Sequence, residues 1–105
     1  NAGGSARSKN NKIENQCVNV IDDVIAVNLR GTILCCKEAI SYMKKSKYGR
    51  IVNIGSTVGV NGLYGFSEYC AAKAGVIGFT KLVPSAIPIA PRDTNMPKNV
   101  ILFSL

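Results

Sequence analysis

Ile51-Val52-Asn53-Ile54-Gly55-Ser56, followed after a glycine-studded loop by Glu68-Tyr69-Cys70-Ala71-Ala72-Lys73-Ala74-Gly75, is the stretch that decides the fold. From Arg50 to Ser56 the chain is short, β-branched and apolar on both faces, the pattern of a buried strand in a parallel sheet. A helix is expected over Phe66 to Val83, where Ala71, Ala72, Ala74, Val76, Ile77, Phe79 and Leu82 leave it apolar round most of its circumference. Such a helix should be covered on more than one side. Pro84 ends it, and Pro88 and Pro91 prevent its restarting. Between strand and helix, Gly59, Gly62 and Gly65 punctuate Thr57 to Gly65. The spacing of a G-x-G-x-x-G turn is absent and no P-loop lysine follows, so an ordinary mobile loop is expected.

Upstream, Val20, Ile21, Val24, Ile25, Val27 and Leu29, then Ile33, Leu34, Cys36, Ile40 and Met43, recur at intervals of three and four from about Val18. That is the helical period, and it predicts one long helix or two nearly collinear ones. Asn19 reads as the N-cap, with Asp22 and Asp23 in the first turn. Lys44 and Lys45, then Gly49, close the other end in the order of base then glycine. Asn28, Arg30 and Gly31 interrupt the apolar face midway; a polar side chain and a glycine weaken a helix interior, so something should compensate. Ser5 to Gln16 is polar and basic and reads as a surface connection. Before it, Asn1-Ala2-Gly3-Gly4 has the small residues of a tight loop leaving a strand, and with no initiator Met the start reads as cut. Downstream, Asn99 to Phe103 is a further strand candidate. Helix, strand, helix and strand make an α/β alternation with parallel pairing.

The 105 residues allow one domain at most, and 47% hydrophobic content indicates a packed segment rather than disorder. No apolar run is long enough to cross a bilayer and no signal peptide opens the chain, so no membrane association and a cytoplasmic location are expected. Cys17, Cys35, Cys36 and Cys70 form no C-x-x-C pair and there is no histidine; no metal site is expected. All four cysteines read as reduced, small apolar side chains packed in helices. The net charge of +7 is scattered over Arg7, Lys9, Lys12, Lys44, Lys45, Lys47 and Arg50 among others, which argues against a nucleic-acid partner. An acidic or phosphorylated small ligand would suit it equally well.

A phenol ordinarily ionises near pH 10, too high for efficient proton exchange at neutral pH. Residues i and i+4 share a helix face, so Lys73 can bring its ammonium to Tyr69, and a nearby positive charge favours a phenolate. Tyr69 then becomes a usable general acid or base. Ser56, at the carboxyl end of the strand where ligands of open α/β sheets bind, could hold a substrate oxygen against the phenol. A Tyr-x-x-x-Lys match alone is weak evidence, expected about 0.3 times by chance at this composition. The ordered context of strand, Ser, glycine loop and small-residue helix raises it.

These residues resemble the short-chain dehydrogenase/reductase family, specifically its classical branch, which includes 3-oxoacyl-acyl-carrier-protein reductases and glucose or hydroxysteroid dehydrogenases. Asn1-Ala2-Gly3 is similar to the end of the family's Asn-Asn-Ala-Gly element, and Val27-Asn28-Leu29-Arg30-Gly31 to the segment bearing its catalytic Asn. Gly49 to Ser56 resembles the strand ending in the catalytic Ser, and Tyr69 to Lys81 the active-site helix. The resemblance covers about residues 1 to 83 and implies a Rossmann-like doubly wound parallel sheet, of which this chain is the C-terminal part of an incomplete domain. It implies an NAD(P)-dependent oxidoreductase that interconverts a small-molecule carbonyl and a secondary alcohol by hydride transfer. Catalytic roles fall to Asn28, Ser56, Tyr69 and Lys73: Tyr69 transfers the proton, Ser56 holds the oxygen, Lys73 promotes ionisation of Tyr69, and Asn28 keeps a kink and a water chain leading from Lys73. Asn1, Ala2, Gly3, Tyr69 and Lys73 would bind NAD or NADP. In the family the two long helices pack against those of a neighbouring subunit, which implies a homo-oligomer, a dimer or tetramer, for the full-length protein.

Residues 1 to 105 read as one partial domain without the N-terminal cofactor-binding half: nothing precedes Asn1, where the family has its Gly-rich pyrophosphate turn. Pro84 and Pro88 stand where the family continues its helix, and Ala90-Pro91-Arg92 lacks the Pro-Gly cofactor contact that follows there. The isolated segment is therefore expected to bind a dinucleotide poorly and to be inactive. The alternatives are a truncated non-catalytic remnant acting by helix-mediated association, and a basic binding module.

Overall fold

The computed structural model describes residues 12–81 and the backbone of 82 and 100–104. The expected loop at Asn1 to Gly4, most of the Ser5 to Gln16 connection, Val83, the prolines after it and Ala90 to Arg92 lie outside the described residues. A short 3-10 turn, Ile13–Asn15, leads into helix α1, Val18–Ile25, a π-helical turn, Ala26–Arg30, and helix α2, Gly31–Ser46. Strand β1, Ile51–Gly55, the single turn α3, Val58–Asn61, and helix α4, Ser67–Leu82, follow, and β2 is Val100–Ser104. No helix among the described residues is long and apolar enough to cross a membrane.

The long helix expected from the three/four spacing runs from Val18 to Ser46, re-pitched at its centre. Its start differs from the expectation. Cys17, extended at φ −67° and ψ 131°, is the N-cap, not Asn19. The Cys17 carbonyl accepts the N–H groups of Val20 and Ile21 at 3.0 and 3.1 Å, so Asp22 and Asp23 fall in the second turn. At the other end Lys44 and Lys45 occupy the last turn, where the dipole favours cations. The left-handed residue is Lys47, φ 55°, rather than Gly49. There the Tyr48 N–H reaches back to the Met43 carbonyl at 3.2 Å, a Schellman-type closure. Gly49 serves packing instead: a Cβ on it would overlap the Met43 side chain.

Strands β1 and β2 pair in parallel, Ile51 opposite Val100 through Gly55 opposite Ser104. Parallel neighbours need a long crossover, and α4 lies on it, packed against both strands. Asn53 shows which face is covered. Its Oδ1 accepts the Cys36 thiol of α2 at 3.5 Å and its Nδ2 donates to Thr80 Oγ1 of α4 at 3.0 Å, so both helices sit on the Asn53 side of the sheet. Ile51 joins Cys36 in the core there, against Ile40, Met43 and Phe79. The strand is apolar on both faces, but on the other face Val52 is 49% exposed; among the described residues it is a one-sided strand.

Two further expectations are corrected. Only Cys36 behaves as a buried cysteine; Cys70 is half-buried and Cys17 and Cys35 are exposed, all four free. Burial pushes the Cys36 thiol upward, against the smaller opposing effect of its bond to Asn53, so it remains a donor. The glycine loop is partly helical: α3 forms because the carbonyls of Ser56 and Thr57 accept the N–H groups of Gly59, Val60 and Asn61 at 2.9 to 3.0 Å. Gly59 permits this turn to lie on α4, since a Cβ there would come within 2.8 Å of the Ala74 nitrogen. Helix α4 buries Glu68, Ala72, Lys73, Val76 and Thr80, while Ala71, Ala74 and Gly78 face outward.

Candidate active site

Ser56 is the first residue past β1 and is buried. Its Oγ accepts the Val58 N–H at 3.4 Å and its carbonyl the Gly59 N–H at 3.0 Å, so the chain turns sharply there and the hydroxyl stays at the strand's carboxyl end. Tyr69 lies in the first turn of α4 and Lys73 one turn on. The Lys73 Nζ stands 5.8 Å from the Tyr69 ring centroid, within cation-π range. It also donates to the carbonyl oxygen of Ile54 at 3.0 Å. The lysine is thereby pinned to the backbone of β1 two residues before Ser56.

Lys73 is only 8% exposed, and burial lowers its pKa below the usual lysine range, because a low-dielectric surround disfavours the charged form. Its ammonium has three N–H donors; one is held by Ile54. The Tyr69 hydroxyl has no hydrogen-bond partner among the described residues. Both groups line one cavity of about 570 Å³ together with Ser56, Gly55 and Ile54, a volume in the range of small-molecule sites.

Asn28 is 1% exposed and stands behind the cavity wall, whereas its neighbours Val27 and Gly31 line the cavity. Its Nδ2 donates to the Val24 carbonyl at 2.9 Å, and its own carbonyl accepts the Thr32 hydroxyl at 3.0 Å. These bonds answer the sequence question of what compensates a polar residue mid-helix. In a π-helical turn the i to i+4 pattern lapses, and side chains take over freed carbonyls. The structure thus brings Ser56, Tyr69 and Lys73 to one cavity and sets Asn28 behind it. Asn1, Ala2 and Gly3 lie outside the described residues.

The donor set fits the nicotinamide-ribose end of a dinucleotide: a lysine with two N–H donors uncommitted among the described residues, beside a phenol, suits a diol. Two polar links escaped the sequence reading. Asn53 had a signal, a polar residue in phase with Ile51 and Gly55 on the inward face of the strand. The bond from Gln16 Nε2 to Glu68 Oε1, 2.8 Å long, joins residues 52 apart in sequence and had none.

Residues 1–87 match the short chain dehydrogenase family, and the chain belongs to it. It is 50% identical over 60 residues to the 3-oxoacyl-acyl-carrier-protein reductase FabG of Rickettsia felis, covering 57% of this chain and 25% of that protein. The FabG of Aquifex aeolicus is 46% identical over 72 residues, 69% of this chain and 28% of that one. The full-length peroxisomal multifunctional enzyme type 2 of Drosophila melanogaster superposes with a TM-score of 0.76 at 30% identity, covering 92% of this chain and 19% of that structure. The fold is therefore Rossmann-like, in a family that typically uses NAD(P). The chain spans about a quarter of the length of the curated relatives it matches.

Proposed function

We propose that this chain carries the proton-transfer part of an NAD(P)-dependent oxidoreductase that interconverts a small-molecule carbonyl and a secondary alcohol, working within a complete doubly wound domain. The observation that carries the reading is the convergence of Ser56, Tyr69 and Lys73 on one cavity, with Lys73 anchored by Ile54. The reductases it resembles act on 3-oxoacyl groups attached to a carrier protein, which makes a β-keto thioester one candidate substrate. A cytoplasmic homo-oligomer, without nucleic acid or membrane, is part of the same reading.

In the direction of reduction, the Tyr69 O–H gives its proton to the substrate oxygen while the Ser56 O–H donates a hydrogen bond to the same atom. The phenolate left behind lies beside Lys73. Burial disfavours the lone ammonium, but a phenolate next to it opposes that effect, and the ammonium in turn stabilises the phenolate left by proton transfer. Tyr69 and Lys73 would also hold the nicotinamide ribose, with Asn1, Ala2 and Gly3 along the cofactor, and the nicotinamide supplies the hydride. Asn28, fixed through Val24 and Thr32, keeps the helix re-pitched behind Lys73.

The test is reduction of carbonyl substrates by NADH or NADPH with the natural protein that carries this chain. Tyr69→Phe should lower kcat by about 10²- to 10⁴-fold, the contribution of a positioned acid or base, while cofactor binding weakens by no more than the one lost hydrogen bond, about tenfold at most. Undiminished turnover in Tyr69→Phe overturns the assignment. Absence of turnover with either cofactor favours a non-catalytic association module.

A further inference from the structure

Glu68, the residue before Tyr69, is 5% exposed, although carboxylates are seldom buried without a dedicated partner. Gln16, just before α1, donates from Nε2 to Glu68 Oε1 at 2.8 Å. The same amide turns its Oε1 to the N–H of Cys17, at 3.2 Å. Cys17 is the residue whose carbonyl accepts the first bonds of α1. One glutamine side chain therefore ties the start of the helix that leads to Asn28 to the first turn of the helix that carries Tyr69 and Lys73. We propose that Gln16 and Glu68 are a positioning pair that fixes the rotation of the first turn of α4, and through it the aim of the Tyr69 phenol.

The inference rests on the oxidoreductase reading. Helix α4 is held along its length by Val76 and Thr80, but its first turn adjoins a loop with glycines at φ 76° and 79°, and helix ends fray first. Successive helical residues project about 100° apart, so drawing Glu68 inward toward Gln16 sets the direction of Tyr69. The phenol oxygen of a helical tyrosine lies roughly 8 Å from the helix axis, given a Cα radius of about 2.3 Å. A rotation of about 10° then moves it by more than roughly 1 Å, a displacement that can cost about a hundredfold in rate.

The experiment uses the natural protein that carries this chain, with Tyr69→Phe in parallel. Gln16→Ala should lower kcat by about ten- to a hundredfold while KM for cofactor and carbonyl stays within about twofold, and the solvent deuterium isotope effect on kcat should rise as proton transfer becomes limiting. Gln16→Glu, which sets two carboxylates together, should be worse. The exchange Gln16→Glu with Glu68→Gln restores a donor, an acceptor and the bond to Cys17, and should recover most of kcat. Wild-type kcat in Gln16→Ala, or a loss of kcat, KM and melting temperature together that the exchange does not rescue, overturns the pairing. If Tyr69→Phe is inactive and Gln16→Ala is unaltered, only the pairing fails; if Tyr69→Phe is active, the oxidoreductase reading fails and takes the pairing with it.

Discussion

The bond between Asn53 and Thr80 joins the strand that ends at Ser56 to the helix that carries Tyr69 and Lys73, and its strength can be worked out in advance. Asn53 and Thr80 are 6% and 5% exposed, with Nδ2 to Oγ1 at 3.0 Å. The Thr80 hydroxyl spends its one proton on the Val76 carbonyl at 2.6 Å, so toward Asn53 it acts only as an acceptor. Thr80→Val leaves a buried amide N–H without that partner, at a cost of about 1–3 kcal/mol. Asn53→Leu removes the donor instead, deprives the Cys36 thiol of its acceptor and should cost about 1–2 kcal/mol. In the double variant both ends are apolar and nothing is left unmet between them, so the two losses should not add. The double variant should be more stable than the sum predicts by about 1–2 kcal/mol, measured by urea unfolding with the four proteins' m-values in agreement. Additivity to within about 0.3 kcal/mol would show that the bond contributes nothing across the sheet and refute the argument that it locks β1 to α4.

Lys47→Gly should stabilise the protein by about 1 kcal/mol, because Lys47 holds a left-handed φ of 55° that glycine adopts without a Cβ penalty; a lowered melting temperature would count against it. Lys73 makes stability depend on pH with a definite sign. Burial lowers its folded pKa below the ordinary value of 10.5, so between the two values the unfolded chain binds more protons. Its contribution to stability therefore rises with pH through that window and is level below the folded pKa. The stability difference between wild type and Lys73→Met should grow in the wild type's favour as pH rises there; a difference that stays level through alkaline pH refutes the buried ammonium.

Ser56, Tyr69 and Lys73 were legible because their placement follows from local rules: a hydroxyl just past a strand, and two residues four apart on one helix face. The parallel pairing of the tail strand was legible for the same reason, a helix between two β-branched runs. What escaped depends on residues distant in sequence or on backbone geometry that several residue types can adopt. Asn19 is a better capping side chain than Cys17, yet the extended backbone at Cys17 starts the helix two residues earlier than the aspartates suggest. Gly49 was the expected stop, but Lys47 takes the left-handed position and Gly49 is reserved by Met43. Val52 is as apolar as Ile51 and Ile54, and only the placement of both helices on the Asn53 side reveals which face is left open by the described residues.

Among the described residues the interior is rich in groups that fix geometry. The buried apolar residues there are Val24, Cys36, Ile51, Ala72 and Val76, and against them stand Asn28, Asn53, Ser56, Glu68, Lys73 and Thr80. An interior with as many polar as apolar side chains gains little from burial, since net hydrogen-bond contributions are small. Among the described residues, however, no buried side-chain nitrogen or oxygen lacks a partner, and fully satisfied polar networks fix geometry more sharply than apolar contacts do. The bonds run in a connected order: Gln16 to Glu68 at the start of α4, Lys73 to the Ile54 carbonyl, and Asn53 to Thr80 a little deeper. The first joins α4 to the residue before Cys17 and the other two join it to β1, each at a different height along the helix. Removing one should change the aim of Tyr69 before it unfolds the chain, so kcat should be lost at smaller perturbations than melting temperature.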